Sequence, residues 1–436
     1  MLTSPTIQSL SYISNAKTEH VRSRTSRVLA RIRIIRLQSL IPAEYMLWQA
    51  LITLGPDGPL CPNLRELCMD TSNLSLQEAY QVTPLLSSSL RSIALYDSSH
   101  VNTTCIILDT LRSRQVDILN IHYEGKLSDH IIERALGFPN LISVSFLSHW
   151  TSGTITKEPI TPFLGSLTTL ALNINYYHSD VCQKLGKWFE TLRLTSLTLR
   201  GSLENIHDCI HNLNPITSIC SFGLCRKLPS QKEIPHLIPL LLTIFPNLHS
   251  LRLEDLGSPL TVTLDDLMSF RQKPLQALDL INCLKSTDFA NDIVEILRVW
   301  PTLERLWIED MPISAHRLPL ISCSAPSLRD LGLSLHFPTE FPTGFLPEYP
   351  YVWSQSDVVC PLEHLIILCE KPVLNFCQTL DYARKLIELF PRLRTISLPN
   401  SKTSGLIRPK PDLHMAINTL QDAISSPPKR SDRLFI

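Results

Sequence analysis

The stretch Pro246–Leu256 reads PNLHSLRLEDL, with Leu248, Leu251 and Leu253 spaced as L-x-x-L-x-L behind a Pro-Asn start. Alone it would be a short strand with three apolar residues and nothing to bury them against. The same frame recurs at Leu64, Leu90, Val116, Leu141, Leu167, Leu194 and Ile216 before it, and at Leu275, Leu303, Leu328, Leu362 and Leu393 after it. A unit repeated at a steady interval is the mark of a solenoid, in which each copy buries its apolar face on its neighbours. The first five intervals are 26, 26, 25, 26 and 27 residues; the later ones, 22, 32, 27, 28, 25, 34 and 31, predict an irregular second half. A degenerate unit at Leu29, Ile32 and Ile34 precedes the array, with Val28 also predicted to face inward.

Between the strand frames lie amphipathic segments opened by a capping residue: SDHIIERALG from Ser128, SDVCQKLGKWFETL from Ser179 and STDFANDIVEILRVW from Ser286. A Ser or Thr there can satisfy one of the free N–H groups that begin a helix. Proline then opens the next unit, at Pro62, Pro139, Pro246, Pro274, Pro301, Pro326, Pro361 and Pro391. It stops the helix and extends the chain into the strand. Intervals of about 20–29 residues and this strand–turn–helix order belong to leucine-rich repeats. The predicted fold is therefore an α/β leucine-rich-repeat solenoid, a horseshoe with a parallel concave strand face and helices on the convex side. Residues 1–60 read as a basic N-terminal segment and cap, 61–400 as the irregular array with an insertion loop at 337–360, and 401–436 as a C-terminal cap helix and tail.

The P-x-L starts CPNLRELCMD, FPNLISVSF, FPNLHSLRLEDL, WPTLERLWIEDM and FPRLRTISL, with their helical returns, resemble the leucine-rich-repeat region of fungal F-box proteins over roughly residues 60–400. That resemblance implies substrate recognition in ubiquitin-dependent turnover. Two features depart from it. The Asn or Cys usual five residues after the second leucine occurs only as Asn175 and Cys283, and residues 1–60 contain no F-box module of roughly 40 residues. A ubiquitin-ligase core is thus an expected partner only if an F-box lies upstream.

Composition narrows the function further. No apolar run approaches the roughly 18 residues of a membrane span, and no N-terminal signal peptide is evident, so a cytoplasmic or nuclear protein with no membrane partner is expected. Lysine plus arginine and aspartate plus glutamate both number 40, which leaves no global field to favour nucleic acid. Within residues 1–36, seven basic residues (Lys17, Arg22, Arg24, Arg27, Arg31, Arg33 and Arg36) oppose Glu19 alone. The twelve cysteines stand singly; Cys105, Cys209, Cys360 and Cys369 sit in apolar contexts and read as small buried hydrophobes. No nucleophile elbow, phosphate loop or zincin motif is present, so neither an enzyme nor a cofactor is expected. The one metal-like group is His207, Cys209, His211, Cys220 and Cys225. His207 and His211 share a helix face while Cys209 points elsewhere, so no metal site is expected.

Alternate residues along a strand point to opposite faces, so those between the leucines are expected to line the concave surface. In the first half they are small or lightly polar: Ser92, Ala94, Ser143, Ser145, Thr169, Ala171, Ser196 and Thr198. From Leu248 on they become Arg252, Glu254, Asp279, Arg305, Trp307 and Glu309. Arg252, Asp279, Trp307 and Gly332 fall in equivalent slots and should form one row. Trp and Arg dominate protein interfaces energetically, so these six residues are the expected partner-binding site on the concave face. The Pro- and aromatic-rich loop 337–360 is a second candidate surface.

Overall fold

The computed structural model describes residues 27–37, 60–71, 86–97, 101–125, 127–147, 165–175, 179–226, 234–256, 262–285, 289–314, 317–336, 360–367, 386 and 389–397. The segment before residue 27, most of loop 337–360 and the whole of 401–436 lie outside these residues, as does Cys369. The chain divides into two compact units, Met1–Ile219 and Cys220–Ile436.

Among the described residues each unit contributes seven strands. In the first they are β1 (Ile34–Leu37), β2 (Glu66–Asp70), β3 (Ser92–Asp97), β4 (Asn120–Gly125), β5 (Ser143–Phe146), β6 (Thr169–Asn173) and β7 (Ser196–Gly201). In the second they are β8 (Ser221–Arg226), β9 (Ser250–Asp255), β10 (Ala277–Ile281), β11 (Arg305–Ser314), β12 (Asp330–His336), β13 (His364–Ile367) and β14 (Thr395–Ser397). Within each unit every strand pairs in parallel with the next in sequence. Helices return the chain between strands: α1 (Val101–Ser113), α2 (Asp129–Leu136), α3 (Ser179–Thr191) and α4 (Leu203–Ile210) in the first unit. The second has α5 (Ile238–Ile244), α6 (Leu264–Met268), α7 (Phe289–Val299) and α8 (Leu318–Ser324). The fold is an α/β leucine-rich-repeat solenoid.

The frame works because of where it puts its leucines. Leu248, Leu251, Leu253, Leu275, Leu278, Leu280, Leu303 and Leu306 are all buried. Each fully buried leucine stabilises the stack by about 1.5–3 kcal/mol, so three per unit favour the array over isolated strands. The prolines have a more specific role than stopping a helix. At five units the Pro is the second residue of a β-turn closed by an N–H···O bond: Leu64 to Cys61, Leu141 to Phe138, Leu248 to Phe245, Leu303 to Trp300 and Leu393 to Phe390. Proline's fixed φ suits that turn position. The residue before it is buried in all five, so these units have a fourth apolar slot, filled by a large aromatic or a cysteine. Where the slot holds Trp300, the indole Nε1 donates to the Phe270 carbonyl of the preceding unit at 3.4 Å.

Capping follows the sequence closely. Ser128 caps α2 and its Oγ accepts from the Ile131 N–H. Thr263 forms a full capping box with Asp266 on α6; Ser179, expected as a cap, is instead the first residue of α3.

Three frames require correction. At the fourth strand the inward set is Ile118, Ile121 and Tyr123, two residues later than Val116 implied, because Ile93 pairs with Ile121 and Leu95 with Tyr123. At the eighth it is Ile219, Phe222 and Leu224, three later than Ile216 implied, with Phe222 opposite Leu251. The adjoining intervals, Leu194 to Ile219 and Ile219 to Leu248, are then 25 and 29 residues and no longer 22 and 32. At the N-terminus Ile35 pairs with Leu67 and is buried, whereas Val28 and Ile34 are 53% and 52% exposed. Leu29 is buried as expected.

Candidate functional site

The outward row of the second unit has the predicted register. Arg252 lies opposite Asp279, Asp279 opposite Trp307, and Trp307 opposite Gly332. What these side chains do to one another follows from the pairing. Asp279 does not bridge to Arg252. It receives both Nε and Nη2 of Arg305, at 3.1 and 3.0 Å, from the next strand. Arg252 turns along its own strand to Glu254, at 2.9 Å. Burial pushes the Asp279 carboxyl up, and the guanidinium groups of Arg305 and Arg252 pull against that shift. Asp279 is therefore mostly covered, 9% exposed, and acts as the seat of Arg305 more than as a contact residue.

Trp307 is half-buried because its indole lies over Gly332. A Cβ built there would come within 2.8 Å of the indole Cδ2 and Cε3 atoms. The Arg305 guanidinium stands 5.9 Å from the ring centroid, at the outer range of a cation–π contact. The indole Nε1 faces Glu309 Oε2 at 3.5 Å, too long to hold it firmly. The six residues named from the sequence thus form a continuous patch on β9 to β11, with an aromatic plate fixed by a glycine beneath it.

The first unit is less bland than its sequence indicates. The corrected frame at β4 places His122 in the row between Ala94 and Ser145. Tyr96 and His122 stand with ring centroids 5.6 Å apart, and Tyr96 shares a hydrogen bond with Cys68. Beyond β4 the row is small as expected, running Ser145, Ala171, Thr198. The alternation I-H-Y-E in NIHYEG carries the signal for His122, but reading from Val116 placed Leu119 inward and hid it.

Burial pushes the His122 imidazole below its ordinary 6.5; Glu124 opposes the shift and Arg200 adds to it. The unfolded chain then takes up a proton near that pH which the folded chain refuses. Stability should be fully present above 6.5 and fall as pH drops through the range beneath it. Urea unfolding at neutral and mildly acidic pH should show a larger loss for the wild type than for His122→Asn. Equal losses would mean that His122 titrates as it does in the unfolded chain.

The metal-like group is divided between the two units. Cys209 is buried, and its thiol is pushed up by burial first and then by its hydrogen bond with Cys182. Cys220 and Cys225 belong to the second unit. His207 and His211 do stand together on α4, with ring centroids 4.8 Å apart. No disulfide joins the ten described cysteines, and burial pushes the Cys61 and Cys360 thiols up to about 11, as for inert core residues. No helix among the described residues is long and apolar enough to cross a membrane.

No protein-family model matches the chain, and no curated protein matches it. Among solved structures it is similar to one described as the Rad7 and Elc1 complex in yeast, with a TM-score of 0.44 and 14% identity, covering 93% of this chain and 95% of that one.

Proposed function

We propose that this protein is a non-enzymatic interaction scaffold that binds a protein partner on the outward strand face of its second unit, through Arg252, Glu254, Asp279, Arg305, Trp307 and Glu309. The observation that supports this reading most is the seating of Trp307 over Gly332. A large aromatic fixed before binding loses little rotamer freedom on complex formation, and Arg305 beside it and Arg252 two strands away are each ordered by a carboxylate. Catalysis, a membrane partner and a nucleic-acid partner are not part of the proposal. The finer role, substrate recognition in ubiquitin-dependent turnover within the cytoplasm or nucleus, is supported by the resemblance of the repeat units to those of F-box proteins. The other reading is a structural or regulatory scaffold without a ligase. Recovery of a ligase core with the full-length chain favours the first, and its absence the second.

Truncating a buried tryptophan anchor costs about 2 kcal/mol or more, roughly thirtyfold in affinity. Trp307→Ala should therefore weaken binding of a partner identified by cross-linking by at least that factor while the chain stays folded. Arg305→Ala should act in the same direction to a smaller degree. Ser143→Ala and Thr169→Ala, in the small-residue row of the first unit, should change little. The order of the four dissociation constants is the test. If the serine and threonine variants weaken binding and Trp307→Ala does not, the site is elsewhere, and loop 337–360 is the next surface to mutate.

A further inference from the structure

We propose that His207, Asp208 and His211 form a binding site for a divalent transition-metal ion at the C-terminal end of α4. The helix places them there by simple geometry. Ser202 caps its N-terminus, with Oγ accepting from the Asn205 N–H, and His211 is its C-cap, donating its backbone N–H to the His207 carbonyl. Residues four apart on a helix lie one above the other, and the two imidazoles stand nearly parallel, 14° apart, with centroids separated by 4.8 Å. Asp208 Oδ1 approaches to 3.5 Å from His207 Nδ1. One ligand atom from each of the three residues lies within 4.8 Å of the others.

Two further observations point to a cation. The Nδ1 of His211 is buried and has no hydrogen-bond partner in the protein. Such an atom is costly to leave unmet, and a metal ion is one group that can take its lone pair. The last carbonyls of a helix also present partial negative charge, which favours a cation there.

The sequence argued against a metal because it looked to Cys209 for the third ligand. Cys209 faces the core and hydrogen-bonds Cys182. The adjacent carboxylate of Asp208 fills that role instead. Two imidazoles and one carboxylate suit zinc, nickel, cobalt or copper and not calcium or magnesium. A metal–nitrogen bond of about 2.0–2.1 Å requires the two coordinating nitrogens to close to roughly 3.3 Å. χ2 of histidine is a broad torsion, so each ring is free to turn toward that separation. Three protein ligands leave at least one position for water or another group.

The test is titration of the full-length, chelator-washed protein with Co2+, followed by visible absorption and by the thermal unfolding midpoint. One equivalent should bind, raise the midpoint and give a spectrum without a thiolate charge-transfer band. The affinity should rise from Co2+ to Ni2+ to Cu2+. His207→Gln and His211→Gln should each weaken binding by at least about tenfold, as ligand-sphere changes commonly do, and Asp208→Asn by less. The spectrum of the unaltered protein needs no variant, so a folding defect in one of them leaves the test intact. Absence of saturable binding, a thiolate band, or undiminished binding in the doubly substituted protein would each overturn the assignment.

Discussion

Asp255→Ala should cost about 3–5 kcal/mol of stability, as removal of one partner from a buried ion pair does. Asp255 is directly opposite Arg226 at the ends of β9 and β8. Its carboxylate accepts from both Nε and Nη2 of the guanidinium, and the two side chains are 0% and 2% exposed. They continue the inward row after Leu224 and Leu253, occupying a slot where the frame would otherwise carry an apolar residue. Truncating the aspartate leaves a guanidinium in the core facing a void. Truncating the arginine strands the carboxylate in the same way. Replacing both, as Arg226→Met with Asp255→Leu, should recover most of the loss, because the desolvation of two charges disappears along with their attraction. Urea midpoints of the two single variants and the double variant close the cycle. Single losses below about 1 kcal/mol, the range of solvent-exposed pairs, would show that the pair is open to water.

Gly186→Ala should be as damaging in the first unit, for a reason that runs against helix propensity. Glycine inside a helix is worse than alanine by about 1 kcal/mol, so α3 alone should gain from the change. The tertiary contact reverses the sign. A Cβ at position 186 would run into the backbone carbonyl oxygen of Cys209 on α4 and stand 3.1 Å from its carbon and 3.2 Å from Leu213 Cδ2. A helix carbonyl cannot rotate away, so the two helices must separate, and overpacking of this kind costs about 1–3 kcal/mol or more. We expect a loss of at least about 3 kcal/mol, at the top of that range, because the obstruction is backbone. Gly165→Ala is the control: nothing lies within 4 Å of the added atom, and a change within about 0.5 kcal/mol is expected. Thermal or urea unfolding followed by circular dichroism compares them. A Gly186→Ala protein as stable as the wild type would mean that α3 and α4 do not approach so closely.

The sequence by itself determined the repeat, the strand face and the outward row Arg252, Asp279, Trp307, Gly332. Each rests on local periodicity: period two within a strand and a regular interval between strands. It determined the capped helix start at Ser128 for the same reason, since a cap acts within one turn. Where two frames fit equally well, periodicity could not choose. In VDILNIHY, Val116, Leu119 and Ile121 satisfy the spacing as well as Ile118, Ile121 and Tyr123 do, and only pairing with Ile93 and Leu95 on the neighbouring strand decides between them. At Ile216 the frame puts Ser221 in its third apolar slot, whereas Ile219, Phe222 and Leu224 fill all three, and pairing of Phe222 with Leu251 selects them. The other results belong to tertiary structure alone. Arg226 and Asp255 are 29 residues apart, and each looks like a solvated strand end until the other arrives. Asp279 could have paired with either neighbouring arginine, and the side-chain geometry across β10 and β11 gave it Arg305. Gly186 reads as a weak point in a helix, and it is a requirement because another helix's backbone comes to rest against it.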